Sequence, residues 1–291
     1  MQQYNEEHKT AQEKIEQIRQ DQKKTQNKMV IILILSMIML ALFFPIGILM
    51  LFLLFMPTVE KLRKMEARVK EEVGVALIRD VMDELFDSYD YQPHQRIASS
   101  TLRSVSIPGL RPMDRIRGND YTKGVYQGMN FEMSDIELLE VEQTEDENGH
   151  IVEEEKQLFS GLWLICDFSK TLDATITVSP RIRFSLQKGV AMESESFNRE
   201  FVVRGNSEHD IYYVLTPILM ERILALKKRL KCSLYFCFKD DGHVHILADW
   251  GNSLEVGSKD LDADELAAKF KRQLEELTGL IDELKLTDAY R

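Results

Sequence analysis

The chain has 291 residues, 29% of them charged, and a formal net charge of -11. That length is enough for one substantial hydrophobic core beside an arm and a stalk, and the carboxylate surplus excludes a nucleic-acid binder that works by neutralising phosphates. Three cysteines, Cys166, Cys232 and Cys237, form no CxxC pair and each lies in an apolar, strand-like stretch; this argues against structural zinc and for reduced thiols in a reducing compartment.

In chain order, residues 1–28 read as a polar N-terminal arm, a solvated helix or disordered tail in which Ile15 and Ile18 are the strong apolar pair. Residues 29–56 carry no charge and would reach roughly 42 Å as a helix, against a hydrocarbon core of about 30 Å. With no small-residue cleavage site, they are expected to form a transmembrane segment, either one kinked span or a hairpin, because Pro45 and Gly47 interrupt the run. Arg19, Lys23, Lys24 and Lys28 before it, and Lys61, Arg63, Lys64, Arg68 and Lys70 after it, favour a cytosolic main domain. Residues 57–90 read as a helical stalk, with Val59, Leu62, Val69, Val73, Leu77, Val81 and Leu85 at helical spacing, either packed on the domain or forming a short coiled-coil seam.

Residues 91–286 are the expected α+β domain. Pro108, Gly109, Pro112 and Gly118 mark an irregular connection over 97–119. Tyr121 to Tyr126 and Phe131 to Val141 fit an antiparallel pair, and 142–157 reads as a polar hairpin tip around Asn148-Gly149, where nine carboxylates fall between Glu137 and Glu155. Leu158 to Phe168, apolar on both faces, reads as a central strand. Thr175 to Val178 and Phe201 to Val203 are shorter strands. Thr216 as N-cap and Pro217 at the first helical position open a helix. Leu234 to Phe238 and Val244 to Trp250 form a hairpin around Asp240-Asp241-Gly242, and a last amphipathic helix carries Leu266, Phe270, Leu274, Leu277, Ile281 and Leu284. The fold class expected is α+β: a membrane helix or helical hairpin plus stalk, then a mainly antiparallel sheet or partly closed barrel with helices packed on it.

Two groups of side chains stand out for chemistry. His243 and His245, two apart on a strand, project from one face and invite a divalent metal completed by a ligand from elsewhere; the plain alternative is that both face water opposite Val244 and Ile246. Arg103, Arg111, Arg115 and Arg117 cluster around Gly109 and Gly118 and are placed to meet anionic lipid headgroups, or to pair with the chain's own carboxylates. There is no GxSxG, P-loop, HExxH or dinucleotide fingerprint, so no catalytic residue and no cofactor is assigned.

Gly118-x-Asp120-Tyr121, Phe159-x-Gly161-Leu162, Asp167-Phe168-x-Lys170, Phe201-x-Val203 and Leu215-Thr216-Pro217-x-Leu219-Met220-Glu221-Arg222 together span roughly the central half of the chain. In these motifs the chain resembles an uncharacterised bacterial family of membrane-tethered proteins, classed as a domain of unknown function and sometimes labelled galanin-like. The resemblance implies a bacterial inner-membrane protein with a cytosolic α+β domain and brings no reaction with it. It departs from the family's pattern at Arg204-Gly205-Asn206-Ser207 and Ile211-Tyr212-Tyr213, where no role is carried over. Its charged members, Asp167 with Lys170 and Glu221 with Arg222, read as structural ion pairs. The function expected is a membrane-tethered, non-enzymatic interaction or scaffolding module that touches the bilayer and a protein partner or second copy, and no nucleic acid. The alternatives are a membrane-associated metal-dependent hydrolase using His243 and His245, and an anionic-lipid-binding domain.

Overall fold

The computed structural model describes residues 20, 23–35, 53, 55–145, 151–182, 188–251, 263–284 and 286. The chain divides into two compact units, residues 1–81 with 256–271 and residues 82–255 with 272–291.

The expected membrane helix or hairpin is corrected: among the described residues no helix is long and apolar enough to cross a membrane. Residues 23–35 are helical, but Lys23, Lys24 and Lys28 occupy the first turns and the apolar residues 29–35 cover only roughly 10 Å of the ~30 Å needed. Residues 36–52 and 54, the greater part of the apolar run, lie outside the described residues, as does most of the N-terminal arm. Helix α1 (Met56–Leu85) is polar over most of its length; in the first unit it buries Leu77, Ile78 and Val81, and the first part of α6 (Ala263–Leu284) buries Phe270.

The second unit is built on a single sheet in the order β1-β2-β3-β4-β8-β7-β5-β6, with every neighbouring pair antiparallel. The sequence predicts a membrane helix or hairpin with a stalk and then a mainly antiparallel sheet or partly closed barrel; the described residues form no membrane-spanning helix but an eight-stranded antiparallel sheet with helices. Its strands are β1 (Ser88–Gln92), β2 (Arg115–Tyr126), β3 (Met129–Glu145), β4 (Ile151–Asp167), β5 (Ile176–Pro180), β6 (Phe201–Gly205), β7 (Ser233–Phe238) and β8 (His243–Asp249). Among the described residues four helices complete it: α2 (Ser99–Arg103), α3 (Glu195–Glu200), α4 (Glu208–Val214) and α5 (Pro217–Leu230), together with the second part of α6.

The helical stalk expected over 57–90 ends at Leu85, and Ser88–Gln92 is instead the edge strand β1, pairing with β2 from Ser88 opposite Val125 to Gln92 opposite Tyr121. The sequence SYDYQ lacks an apolar alternation because an edge strand is covered on few sides. The irregular connection also contains α2 and the start of β2, whose ladder shifts register between Asn119 and Thr122. The polar hairpin tip is shorter than expected: β3 and β4 remain paired out to Glu145 opposite Ile151, so 142–145 and 151–157 are regular strand. Glu142 faces Glu154 across that ribbon, a repulsive pair. Arg115 on β2 offsets the charge nearby by reaching Glu153 and Glu155, and Arg117 by reaching Glu155 and Glu137.

The centre of the sheet is covered on both faces. On β4, Leu162, Trp163, Leu164, Ile165 and Cys166 are all buried, as the run of apolar residues requires. One face packs under the 97–113 segment, where Ile97, Leu102, Val105, Ile107, Leu110 and Met113 meet Ile136, Phe159, Trp163, Ile165, Cys237 and Leu247. Gly161 lets β4 approach β8 closely: a Cβ there would lie 2.1 Å from the Ala248 carbonyl oxygen and 2.9 Å from the Trp250 nitrogen.

Candidate functional site

The end of this covered face opens into a cleft of about 770 Å³. Its roof carries Ser100, Thr101 and Ser104 from α2 and the residue after it; its floor and walls carry Lys123, Asn130, Glu132, Asp167 and His245 from the strands and Lys239, Asp241 and His243 from the β7–β8 turn. The turn is built as its Asp-Asp-Gly sequence requires. Gly242 takes φ +82, the Lys239 N–H donates to the His243 carbonyl at 2.9 Å, and Asp167 of β4 stands opposite His243 of β8.

The two histidines do share one face, but in different surroundings. His243 is largely exposed; its Nδ1 lies 3.2 Å from Asp241 Oδ1 and its Nε2 lies 3.9 Å from Asp167 Oδ1. His245, two residues on and opposite Ile165, is 2% exposed. Burial pushes its pKa down to about 3, with the Lys239 charge acting in the same direction, so the ring is neutral. The indole N–H of Trp163 donates to His245 Nδ1 at 3.1 Å. An indole nitrogen only donates, so Nδ1 is the acceptor and the proton sits on Nε2. A protonated nitrogen has no lone pair to offer a metal. Among the described residues no group of three or more His, Cys, Asp or Glu is arranged to hold a metal ion.

Around the histidines most charges are already answered. Lys123 pairs with Glu132 at 3.3 Å and Lys239 with Asp241. Burial alone would raise the Asp241 carboxyl, but hydrogen bonds from Lys239 and His243 bring it below the ordinary carboxylate value. Asp167 accepts from the side-chain amide of Asn130 at 2.7 Å and its backbone N–H at 3.3 Å, both on Oδ2. Two of the three cysteines are buried, and all three thiols are pushed up by burial, Cys232 to about 11 and Cys237 to about 12, with Cys166 raised further. None is an activated nucleophile.

A second surface lies at the junction of α4 and α5. Ser207 caps α4 by accepting from the Asp210 N–H, and the buried Asp210 carboxylate accepts in turn from the N–H groups of Asp173 and Ala174, at 3.0 Å each. Thr216 caps α5 by accepting from the Leu219 N–H, with Pro217 following. On these helices Tyr212 and Tyr213 of α4 and Ile218 of α5 stand 48%, 47% and 60% exposed. Lys170 donates to the Tyr213 carbonyl at 2.6 Å while its ammonium sits 4.4 Å from the centre of the Tyr213 ring, and burial lowers its pKa. His209 stacks on the same ring.

The family-like residues are therefore distributed. Lys170, Thr216 and Pro217 belong to the α4–α5 junction; Glu221 is exposed and Arg222 half-buried on α5. Asp167 belongs to the cleft and is engaged by Asn130, while Lys170 is engaged by Tyr213, so these two do not pair with each other. Asp120, buried at φ 56 beside the register shift, accepts from Tyr91 and Asn119, and Tyr121 donates its N–H to the Gln95 carbonyl. Gly161 serves the close approach of β4 to β8. Of the four arginines, Arg111 donates to the carbonyls of Arg103 and Val105 and Arg103 to that of Asp114, stapling the loop; Arg115 and Arg117 are held by carboxylates.

The sequence passes over Trp163, Asn130 and Asp210 and marks Tyr212 and Tyr213 only as a departure from the family's pattern, while Ile218, expected in the buried stripe of α5, is instead 60% exposed. Only Asp210 had a local signal, the Ser-x-x-Asp spacing of a helix start; the others acquire their roles from contacts or exposure that span many residues.

The fold and these surfaces define an antiparallel α+β module with a polar cleft and an exposed aromatic corner. Residues 157–286, from the apolar half of β4 to the end of α6, match the model of a family described as Protein of unknown function (DUF3137). The match carries neither the membrane-tethered nor the galanin-like label, and it leaves out β1 to β3 and α2. No curated protein and no solved structure matches the chain.

Proposed function

We propose that this chain is a non-enzymatic interaction module that presents the α4–α5 corner to a protein partner, apolar at the centre of its contact surface and acidic at the rim. The observation that carries this reading is the exposure of Tyr212, Tyr213 and Ile218 together on two capped helices. Exposed aromatic and aliphatic side chains grouped on rigid elements are the usual anchors of an interface, because little conformational entropy is lost when they are covered. The rim favours carboxylates on the partner: Lys228 is exposed on α5, with Arg222 half-buried, in a chain that is otherwise acidic, while Arg229 is engaged by Glu283 at 3.7 Å. A reducing, cytoplasmic setting belongs to the same proposal, supported by the unpaired Cys166, Cys232 and Cys237.

The test is site-specific photo-crosslinking of the full chain in cells, with the reactive group at Tyr212 and, as control, at the exposed Glu145. A discrete adduct from position 212 that disappears with Ile218→Asp and weakens with added salt is the expected result. An adduct of twice the chain's mass identifies the partner as a second copy. Identical adducts from both positions, or none from position 212, overturn the proposal.

A further inference from the structure

The cleft under α2 holds a polar group that the fold itself leaves unanswered. His245 Nδ1 is occupied by Trp163, which puts the proton on Nε2. Among the described residues that Nε2–H has no hydrogen-bond partner, although the ring is 2% exposed. Among the described residues the side-chain nitrogens and oxygens that are wholly enclosed without a partner are Trp250 Nε1 and Gln273 Oε1. His245 Nε2 is not one of them, so it reaches accessible space, and the space His245 lines is the cleft. A buried donor facing a cavity in this way is costly unless something accepts from it.

The opposite requirement stands on the same face of the sheet, two residues along, where Asp167 pairs with His243 as Ile165 pairs with His245. Asp167 takes both Asn130 donors on Oδ2, while its Oδ1 accepts no hydrogen bond among the described residues and lies 3.9 Å from His243 Nε2. The lysines do not answer it, since Lys123 is paired with Glu132 and Lys239 with Asp241. Counting the charged lining, two lysines stand against three carboxylates, so a free anion is disfavoured and a ligand bearing a positive group is favoured. The cavity, about 770 Å³, has the size of a small-molecule site, and the hydroxyls of Ser100, Thr101 and Ser104 line it as further donors and acceptors.

We propose that this cleft binds a small zwitterion of the amino-acid or dipeptide class, with its ammonium on Asp167 Oδ1 and a carboxylate or carbonyl oxygen on the Nε2–H of His245. The two protein groups are complementary in sense, one accepting and one donating, which an ordinary monovalent ion cannot satisfy together. This site is separate from the aromatic corner of α4 and α5 and does not depend on that reading.

The experiment is a titration of the full chain followed through the histidine ring nitrogens by long-range ¹H–¹⁵N NMR, with glycylglycine as the probe. Without probe, His245 is expected in the Nε2-protonated tautomer at neutral pH. Glycylglycine is expected to shift that resonance saturably in the millimolar range or below, and N-acetylglycylglycine, which lacks the ammonium, to bind about tenfold more weakly, the loss of one charge-assisted hydrogen bond. Asp167→Asn is expected to remove the difference between the two probes. The comparison of probes on the native protein stands even if that variant does not fold. Absence of a saturable shift with glycylglycine, equal binding of the acetylated probe to the native protein, or an Nδ1-protonated His245 each overturns the proposal.

Discussion

His245 shows how burial converts a titratable side chain into a fixed dipole. Its folded pKa of about 3 lies below the ordinary 6.5, so between those values the unfolded chain binds a proton that the folded chain refuses. The stabilising contribution is therefore complete above about pH 6.5 and is lost as the pH falls toward 3. Stability measured by urea denaturation is expected to hold level from pH 8 to 7 and then to fall between pH 6 and 5 with a slope approaching 1.4 kcal/mol per pH unit. His245→Gln, whose amide oxygen can still accept from Trp163, is expected to flatten that slope. At Gly161 the constraint is steric instead. The missing Cβ would meet backbone atoms of β8 and Trp250 that have no rotamer to escape into, so Gly161→Ala is expected to cost about 3 kcal/mol, read as a lowered unfolding midpoint.

At the scale of elements, local chemistry explains where helices begin and where chains turn. The Thr216 hydroxyl satisfies one of the orphan N–H groups of α5, and the helix ends with Lys231 in the left-handed region after a last turn rich in Lys227, Lys228 and Arg229. Thr216→Ala is expected to lower stability by about 1 kcal/mol, and Thr216→Ser by a few tenths, in chemical denaturation. This helix and the β7–β8 hairpin could be read from the sequence because their signals lie within a few residues of one another. β1 and α2 could not: the first is a polar edge strand paired on one side only, and the second is five residues long, too short for a periodicity. The candidate site inherits this division. His243 and His245 are legible as a pair on one strand face, whereas their opposite fates follow from α2 and the 97–113 segment, which cover one and leave the other in solvent.

For the whole second unit, the order of the strands decides which parts open most easily. β3, β4, β8 and β7 lie inside the sheet, while β1 and β6 are its outermost strands. Amide hydrogen exchange is expected to be slowest at Leu164, Ile246 and Phe236, which are buried at the centre, and faster by orders of magnitude in β1 and in the Glu142–Glu145 part of the ribbon. Equal protection across all eight strands would show that the unit opens only as a whole.

The sequence by itself determined the alternation of the strands, the central place of Leu158–Phe168, the cap of α5 and the turn at Asp240-Asp241-Gly242, because periodicity, capping and turn chemistry act between near neighbours. It also displays an uncharged run over 29–56, yet charge pattern alone led to a membrane helix that the described residues do not contain. Only the tertiary structure decided that Trp163 from one strand fixes the tautomer of His245 on the next, that Asn130 rather than Lys170 engages Asp167, and that Tyr212, Tyr213 and Ile218 face outward. Those outcomes depend on strand order, register and which face is covered, and these are settled by contacts between residues tens of positions apart.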